Sequence, residues 1–214
     1  MGRDDFESVG SKGVLKRKSK RVLGLFIDGV GLDRATRRLD RKIDLGRLVS
    51  GITTGLKVEV ARYYTLIPNE DDARQFAFLD AVEKAGLEVV VKRLPPKGVN
   101  KMVSVDPHIS VDLATYAYGR FEKHKPVAVA ESQREGEVTP EEETKIAVPA
   151  KPPTLLSRSA IIVCPSKELS YAIFTAHELG VETSMADFGQ YGNSDGWRGV
   201  DRWIDLSTSE TIWR

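Results

Sequence analysis

The apolar residues of this chain occur in short runs, and segments with helical periodicity separate these runs. Residues 22–27 are all apolar and are bounded by Arg21 and the Asp28-Gly29 pair, which is typical of a buried strand in a parallel sheet. The same criteria predict further strands at 56–66, 87–94, 159–164 and 181–188. Residues 203–206 are predicted to be either a sixth strand or a packing tail.

Helical patterns fill the intervals between these strands, at 29–48, 70–85, 105–121 and 166–179. Asp106-Pro107 predicts a helix start, with an N-cap followed by a first-turn proline, and Gly86 and Gly180 mark two helix ends. Because parallel neighbours require crossover connections, this order predicts an α/β chain. We expect a three-layer Rossmann-like fold with a mostly parallel five- or six-stranded sheet.

The predicted domain covers residues 21–206, with a basic flexible arm at 1–20 and a tail at 207–214. Residues 123–158 hold five prolines, many charges and no sustained period, which indicates an insertion or mobile loop. This segment is a candidate docking site for a protein partner. The oligomeric state is not predicted.

Composition narrows the functional classes. The 32 basic and 31 acidic residues give a net charge of +1, so any nucleic-acid surface has to be a local patch. The single cysteine, Cys164, cannot form an internal disulfide, and no stretch approaches the roughly 20 apolar residues of a membrane span. The charged N-terminal residues do not resemble a secretory signal. We therefore expect a cytoplasmic protein without a membrane partner.

Acidic residues follow the predicted strands, where ligands bind in open α/β sheets. They are Asp28, Asp106, Asp112, Glu168 and Asp187. Neighbouring carboxylates repel one another, and a divalent cation removes that cost. Because oxygen ligands suit Mg²⁺ or Mn²⁺, the sequence predicts a metal site that activates water against a phosphodiester.

Four of these five acids also have a structural interpretation, whereas for Asp112 a functional role is favoured. Asp28 can shape a turn, Asp106 can cap its helix, and Glu168 can complement a helix dipole. Asp187 is better explained as loop structure than as a ligand. The basic run Lys16, Arg17, Lys18, Lys20 and Arg21 either improves solubility or contacts RNA phosphates beside the cleft.

Several of these motifs together resemble the NYN domain, the LabA-like branch of the PIN-like nucleases. The segment from Phe26 to Gly29, followed by Leu32, is similar to the Ile-Asp-Gly-x-Asn-Leu opening of that family. Val105-Asp106, with Lys101 before it and Asp112 after it, resembles the family's Lys-Gly-Val-Asp-Val helix. Residues 160–169 resemble its Ser-Gly-Asp-x-Asp-Phe strand end, and residues 201–206 resemble its C-terminal signature.

The resemblance implies a metal-dependent ribonuclease in which Asp28, Asp106, Asp112 and Glu168 bind Mg²⁺ or Mn²⁺, and it makes Lys101 a candidate RNA contact. Three positions depart from the family, since Gly31 replaces an asparagine, Ser166 replaces an aspartate, and Glu168 stands where the family has a shorter aspartate. These departures favour an alternative, a catalytically weakened or inactive relative that binds RNA or assembles with proteins.

Two other interpretations are weaker. A dinucleotide-binding domain is disfavoured because the third glycine of its motif is absent after Gly29 and Gly31. A nucleophilic role for Cys164 lacks a neighbouring histidine in sequence, and the cysteine lies in an apolar strand where thiols are usually inert.

Overall fold

The computed structural model describes residues 21–53, 55–70, 73–120, 157–189 and 197–214. Within these residues the chain forms six strands: β1 (Arg21–Asp28), β2 (Lys57–Ile67), β3 (Glu88–Arg93), β4 (Ser157–Val163), β5 (Glu182–Asp187) and β6 (Arg202–Asp205). The α-helices of the same residues are α1 (Gly29–Arg38), α2 (Leu45–Ile52), α3 (Ala73–Lys84), α4 (Asp106–Ala117) and α5 (Ser170–Glu178). Short 3-10 helices occupy Lys167–Leu169, Leu206–Thr208 and Glu210–Ile212.

The strands form one sheet in the order β3-β2-β1-β4-β5-β6, and every neighbouring pair is parallel. The chain moves outward from β1 to β3, returns to the centre at β4, and moves outward again on the other side. The order therefore reverses between β1 and β4, which makes their carboxyl ends the switch point of the sheet. The predicted Rossmann-like α/β fold is confirmed.

Alternate side chains of the central strands enter two separate cores, one on each face of the sheet. Leu23, Leu25 and Ile27 of β1 belong to the core beneath α1, α2 and the C-terminal segment. Phe26 points to the other core, which α4 and α5 cover. Because both faces of β1 are buried, the strand needs an almost unbroken apolar sequence.

Some predicted boundaries are wrong. The predicted helix at 29–48 is two helices, α1 and α2, and α4 ends at Ala117 rather than near 121. The 166–179 segment begins with a 3-10 turn before α5. Ser157 and Arg158, which were assigned to the insertion, belong to β4. The rest of that predicted insertion, like the arm at 1–20, lies outside the described residues.

The C-terminal residues pack against the domain. Residues 202–205 form the sixth strand, and Ile212 and Trp213 are buried in the same core as α1 and α2. Trp213 forms a backbone bridge with Ile43, and the guanidinium of Arg41 lies 4.1 Å from the centre of its ring. None of the helices in the described ranges is long and apolar enough to cross a membrane.

A buried arginine ties β2, β3 and α4 together. Arg62 in β2 is only 1% exposed. It donates two hydrogen bonds to Glu88 of β3, at 3.1 and 2.9 Å, and a third of 2.7 Å to Asp112 of α4. Tyr64 donates a further hydrogen bond of 2.7 Å to the same oxygen of Asp112. The guanidinium therefore has carboxylate partners on both sides, as a buried charge requires.

We expect Arg62→Met to lower the free energy of unfolding by about 3 kcal/mol or more, because it leaves the largely buried carboxylate of Asp112 without its counter-charge. Urea denaturation measures the effect. Arg202→Met is the matched control, since Arg202 pairs with Glu182 on the surface and exposed pairs contribute less than about 1 kcal/mol. Equal losses in the two variants would contradict the role given to Arg62.

Candidate functional site

The switch point opens into a cleft of about 350 Å³ outside the carboxyl ends of β1 and β4. Its walls come from α1, the first residue of α4 and the segment before it, the residues that follow β4, and the last residue of β5. The polar side chains on these walls include Asp28, Asp106, Asp187, Ser166, Arg34 and Arg38. Three carboxylates and two guanidinium groups thus share one crevice, which is the location that the doubly wound topology favours for ligands.

Asp28 is both the last residue of β1 and the N-cap of α1. Its Oδ1 accepts hydrogen bonds of 3.0 Å from the backbone N–H groups of Val30 and Gly31. The side chain is 4% exposed, and its Oδ2 has no hydrogen bond among the described residues. One oxygen therefore fixes the carboxylate on the helix, and the second remains available to a ligand.

Burial raises the pKa of Asp28 to about 6. The hydrogen bonds from Gly31 and Val30 oppose this rise, whereas the negative charge of Asp106 adds to it. Asp28 and Asp106 are distant in the sequence but line the same cleft, and their negative charges repel each other. A cation between or beside them removes that repulsion.

Asp106 does not cap α4 as the sequence predicted. It is the first residue of the helix, and Val105 occupies the N-cap position without a side-chain cap. Ser104 instead closes a small local loop: its Oγ accepts from the Asp106 N–H at 3.0 Å and donates to Asp106 Oδ2 at 2.5 Å. The hydroxyl orients the carboxylate at the cleft wall.

Gly31 is needed where α1 crosses the end of β4. A Cβ built on Gly31 would lie 2.2 Å from the carbonyl oxygen of Cys164, far inside contact distance. Cys164 itself has a left-handed backbone, with φ of 51°, that turns the chain out of β4. The asparagine that the NYN pattern carries at this position would not fit here.

Ser166 and Asp187 also line the cleft. The Oγ of Ser166 is buried and has no hydrogen-bond partner in the described part of the chain. Asp187 ends β5, and burial raises its pKa above the usual range for an aspartate. Sequence reasoning favoured a loop role for Asp187, yet the structure places its carboxylate beside the same crevice as Asp28.

Asp112 is not part of this cleft. It lies on the second turn of α4, where its Oδ2 accepts hydrogen bonds from Arg62 and Tyr64, both at 2.7 Å. Six residues of helix separate it from Asp106, a rise of about 9 Å along the axis. The metal role of Asp112 stays a prediction, but the structure pairs its carboxylate with the buried guanidinium of Arg62 and not with the acids of the cleft.

The other predicted contacts are spread over the surface. Glu168 is exposed in the 3-10 helix after β4 and does not line the cleft, and neither does the exposed Lys101. Arg21 pairs with Glu182 at 3.1 Å at the amino end of β1. Seven strand residues, about 23 Å, separate it from Asp28, so it does not lie beside the cleft. Residues 16–20 lie outside the described residues.

Sequence reasoning missed Arg34 and Arg38, which line the cleft from α1. The sequence did contain a signal for these two arginines. Residues four apart share one face of a helix, and the helix that carries them starts directly after Asp28. The two guanidinium groups bring positive charge to the cleft that the acids also line, where it can attract a phosphate.

The donor set fits a magnesium-type ion rather than a closed metal centre. No group of three or more His, Cys, Asp or Glu side chains that could hold a metal is found in the described ranges. Mg²⁺ is commonly held by one or two carboxylates, with waters and substrate phosphates completing its shell. Asp28 and Asp106, with the unpartnered hydroxyl of Ser166, match that open arrangement.

Comparison with known proteins supports the fold. No family model and no curated protein matches the chain. A crystal structure of a protein of unknown function from Vibrio parahaemolyticus is similar with a TM-score of 0.64 and 12% sequence identity, over 94% of this chain and 100% of that one. At this identity the likeness concerns the fold alone. Fold and cleft together define a Rossmann-like α/β protein with an acidic crevice at its switch point.

The raised pKa of Asp28 predicts a pH-dependent stability. Because the folded-state pKa of about 6 lies above the ordinary value of 3.8, the folded state holds the proton more tightly than the unfolded chain. Stability is therefore highest below pH 4 for this group and falls as the pH rises towards 6, by at most about 3 kcal/mol. Without divalent cations, Asp28→Asn should remove this decrease, since asparagine retains the cap and carries no charge.

Thermal unfolding in chelator-treated buffers from pH 4 to pH 7 measures this component. Asp33→Asn is the control, because Asp33 is an exposed carboxylate on the same helix that pairs with Arg37. If the Asp28→Asn variant and wild type lose stability in parallel over this range, the assignment of the titration to Asp28 is wrong.

Proposed function

We propose that this protein is a divalent-cation-dependent ribonuclease whose reaction takes place in the cleft at the switch point. The observation that carries the proposal is the convergence of Asp28 and Asp106 with Arg34 and Arg38 in one crevice of about 350 Å³. Acidic groups that bind a cation, beside basic groups that bind a phosphate, are the two components that phosphodiester hydrolysis requires. The likeness of the residues around Asp28 to the NYN opening supports the same reaction.

Each side chain has a distinct role in this proposal. Asp28 and Asp106 hold Mg²⁺ or Mn²⁺, and the ion, when bound, supplies Lewis-acid stabilisation and an activated water. Arg34 and Arg38 bind and orient the substrate phosphate from α1. Ser104 keeps the Asp106 carboxylate in place, and Ser166 offers a neutral oxygen to the ion or to a water. Asp187 adds negative charge at the edge of β5.

The pKa of Asp28 connects this site to pH. A carboxylate with a pKa near 6 is partly protonated in mild acid, and protons compete with the cation for it. Cation affinity and any cleavage should therefore increase between pH 5 and pH 7. A bound cation in turn favours the ionised carboxylate and offsets the destabilisation caused by its burial.

A second candidate function is RNA binding without cleavage. The placement of Asp112 and Glu168 favours it, because two of the four acids that the family likeness assigns to the metal lie outside the cleft. A site with fewer carboxylates holds its ion more weakly, and catalysis is sensitive to small displacements of the reacting groups. Both candidate functions require RNA binding, and they differ in whether the bound RNA is cleaved.

We expect an end-labelled, unstructured oligoribonucleotide to be cleaved in Mn²⁺ at pH 7.5, with Asp28→Asn and Asp106→Asn each lowering the rate at least about a hundredfold. Glu168→Gln is the control and should cleave at nearly the wild-type rate, since Glu168 is outside the cleft. Gel resolution of the products measures the rates.

Calorimetric titration with MnCl₂ provides a second measurement on the same proteins. Wild type and Glu168→Gln should bind the ion, and the two aspartate variants should bind it at least tenfold more weakly. Metal binding without cleavage would select the second candidate function. Equal binding by all four proteins, or binding by none, would exclude a cation site at Asp28 and Asp106.

A further inference from the structure

A second and larger cavity lies on the other side of α1. Its volume is about 850 Å³, and α1, the carboxyl end of β2, α3 and the segment after α1 surround it. Val30 and Leu66 line this groove and the acidic cleft alike, so the two spaces adjoin along the first turn of α1. We refer to the larger space as the α1–α3 groove.

The charge of the α1–α3 groove is opposite to that of the cleft. Its acidic side chains are Asp33 and Asp40, and its basic side chains are Arg37, Arg41, Lys42, Arg74 and Arg214. Arg37 pairs with Asp33 at 3.0 Å, and both side chains are largely exposed. Because exposed ion pairs are weak, a phosphate can compete for that guanidinium. The excess of basic groups suits a polyanion.

Arginines of α1 and of the segment that follows it line the two spaces. Arg34 and Arg38 line the acidic cleft, whereas Arg37 and Arg41 line the groove. Arg34 and Arg38 are four residues apart on α1 and therefore share one side of the helix, whereas Arg41 follows the helix end. A chain of phosphates that crosses this helix would therefore meet positive charge on both sides.

An aromatic ring gives the groove a surface for bases. Phe78 of α3 lines it and is 44% exposed. The ring packs edge-to-face against the buried Tyr63, with 5.9 Å between centroids, which holds it in place. Half-buried Gln75 and Thr65 add hydrogen-bonding groups nearby. Exposed aromatic faces beside basic side chains are the combination that binds unpaired nucleic acid.

We propose that the α1–α3 groove binds an unpaired stretch of RNA that flanks the phosphate held in the acidic cleft. This inference rests on the proposed function for its choice of RNA, and it adds a binding path and a preference for single strands. The backbone lies against Arg37, Arg41 and Lys42, and a base stacks on Phe78. A duplex has no free base faces to offer to this ring.

The experiment measures binding alone, so that its outcome does not depend on cleavage. A fluorescent oligouridylate of twelve nucleotides is titrated with the full chain in EDTA, and anisotropy gives Kd at several salt concentrations. Phe78→Ala should weaken binding at least about fivefold through lost stacking. Lys42→Ala should reduce the slope of log Kd against log salt by about 0.7, the value for one lost contact to a single strand.

Each variant has a matched control. Phe76 is on the same helix and is 54% exposed, but it does not line the groove, so Phe76→Ala should bind as wild type does. Lys57 is exposed at the amino end of β2, the strand whose carboxyl end reaches the groove, so Lys57→Ala should keep the wild-type salt slope. Lys42→Ala removes no buried side chain, and it tests the groove even if Phe78→Ala fails to fold.

The outcomes separate the two proposals. If binding weakens in Phe78→Ala and Lys42→Ala but not in the two controls, RNA binding in the groove is supported, whether or not Mn²⁺ later induces cleavage. RNA that is bound but stays intact contradicts only the proposed hydrolysis. Equal binding by all four variants, or no binding by wild type, overturns the groove. Tighter binding of a duplex RNA, or of the matching deoxyoligonucleotide, overturns the assignment to unpaired RNA.

Discussion

The hydrogen bonds that Asp28 accepts from the first turn of α1 hold the switch point together. They end β1, start α1, and fix the direction in which the helix leaves the sheet. The same carboxylate is buried and faces the acidic cleft, so its charge destabilises the folded state in the absence of a cation. The residue that positions the helix is therefore also the residue whose ionisation a cation would favour. Stability and ligand binding depend here on one side chain.

The fold could be predicted from the sequence because its signals are local. The apolar run at 22–27 follows from burial on both faces of β1, and the glycines after α3 and α5 have positive φ values that few other residues adopt. The position of Asp28 at the carboxyl end of β1 could also be predicted, because the apolar run that forms the strand shows where the strand ends. Exact helix limits did not follow, because the break between α1 and α2 and the end of α4 depend on packing that the local pattern does not show.

The candidate site was harder to predict because its membership depends on contacts between distant residues. Asp112 has the spacing of a metal ligand, yet its partner Arg62 is on a strand 50 residues earlier. No local pattern reveals that this carboxylate is already paired. Asp187 and Arg34 show the opposite case, since neither belongs to a recognisable motif and both line the cleft. Charged residues at the ends of helices and strands indicate that a binding site is possible. The tertiary packing decides which of these residues line the same site.

The close approach of Gly31 to the Cys164 carbonyl sets how near α1 lies to the end of β4. A chain with asparagine at this position has to hold its first helix farther from the fourth strand, because the side chain needs the volume that the carbonyl occupies here. The shape of the crevice in this protein therefore depends on position 31, because even the single methyl group of an alanine there would push α1 away from the end of β4.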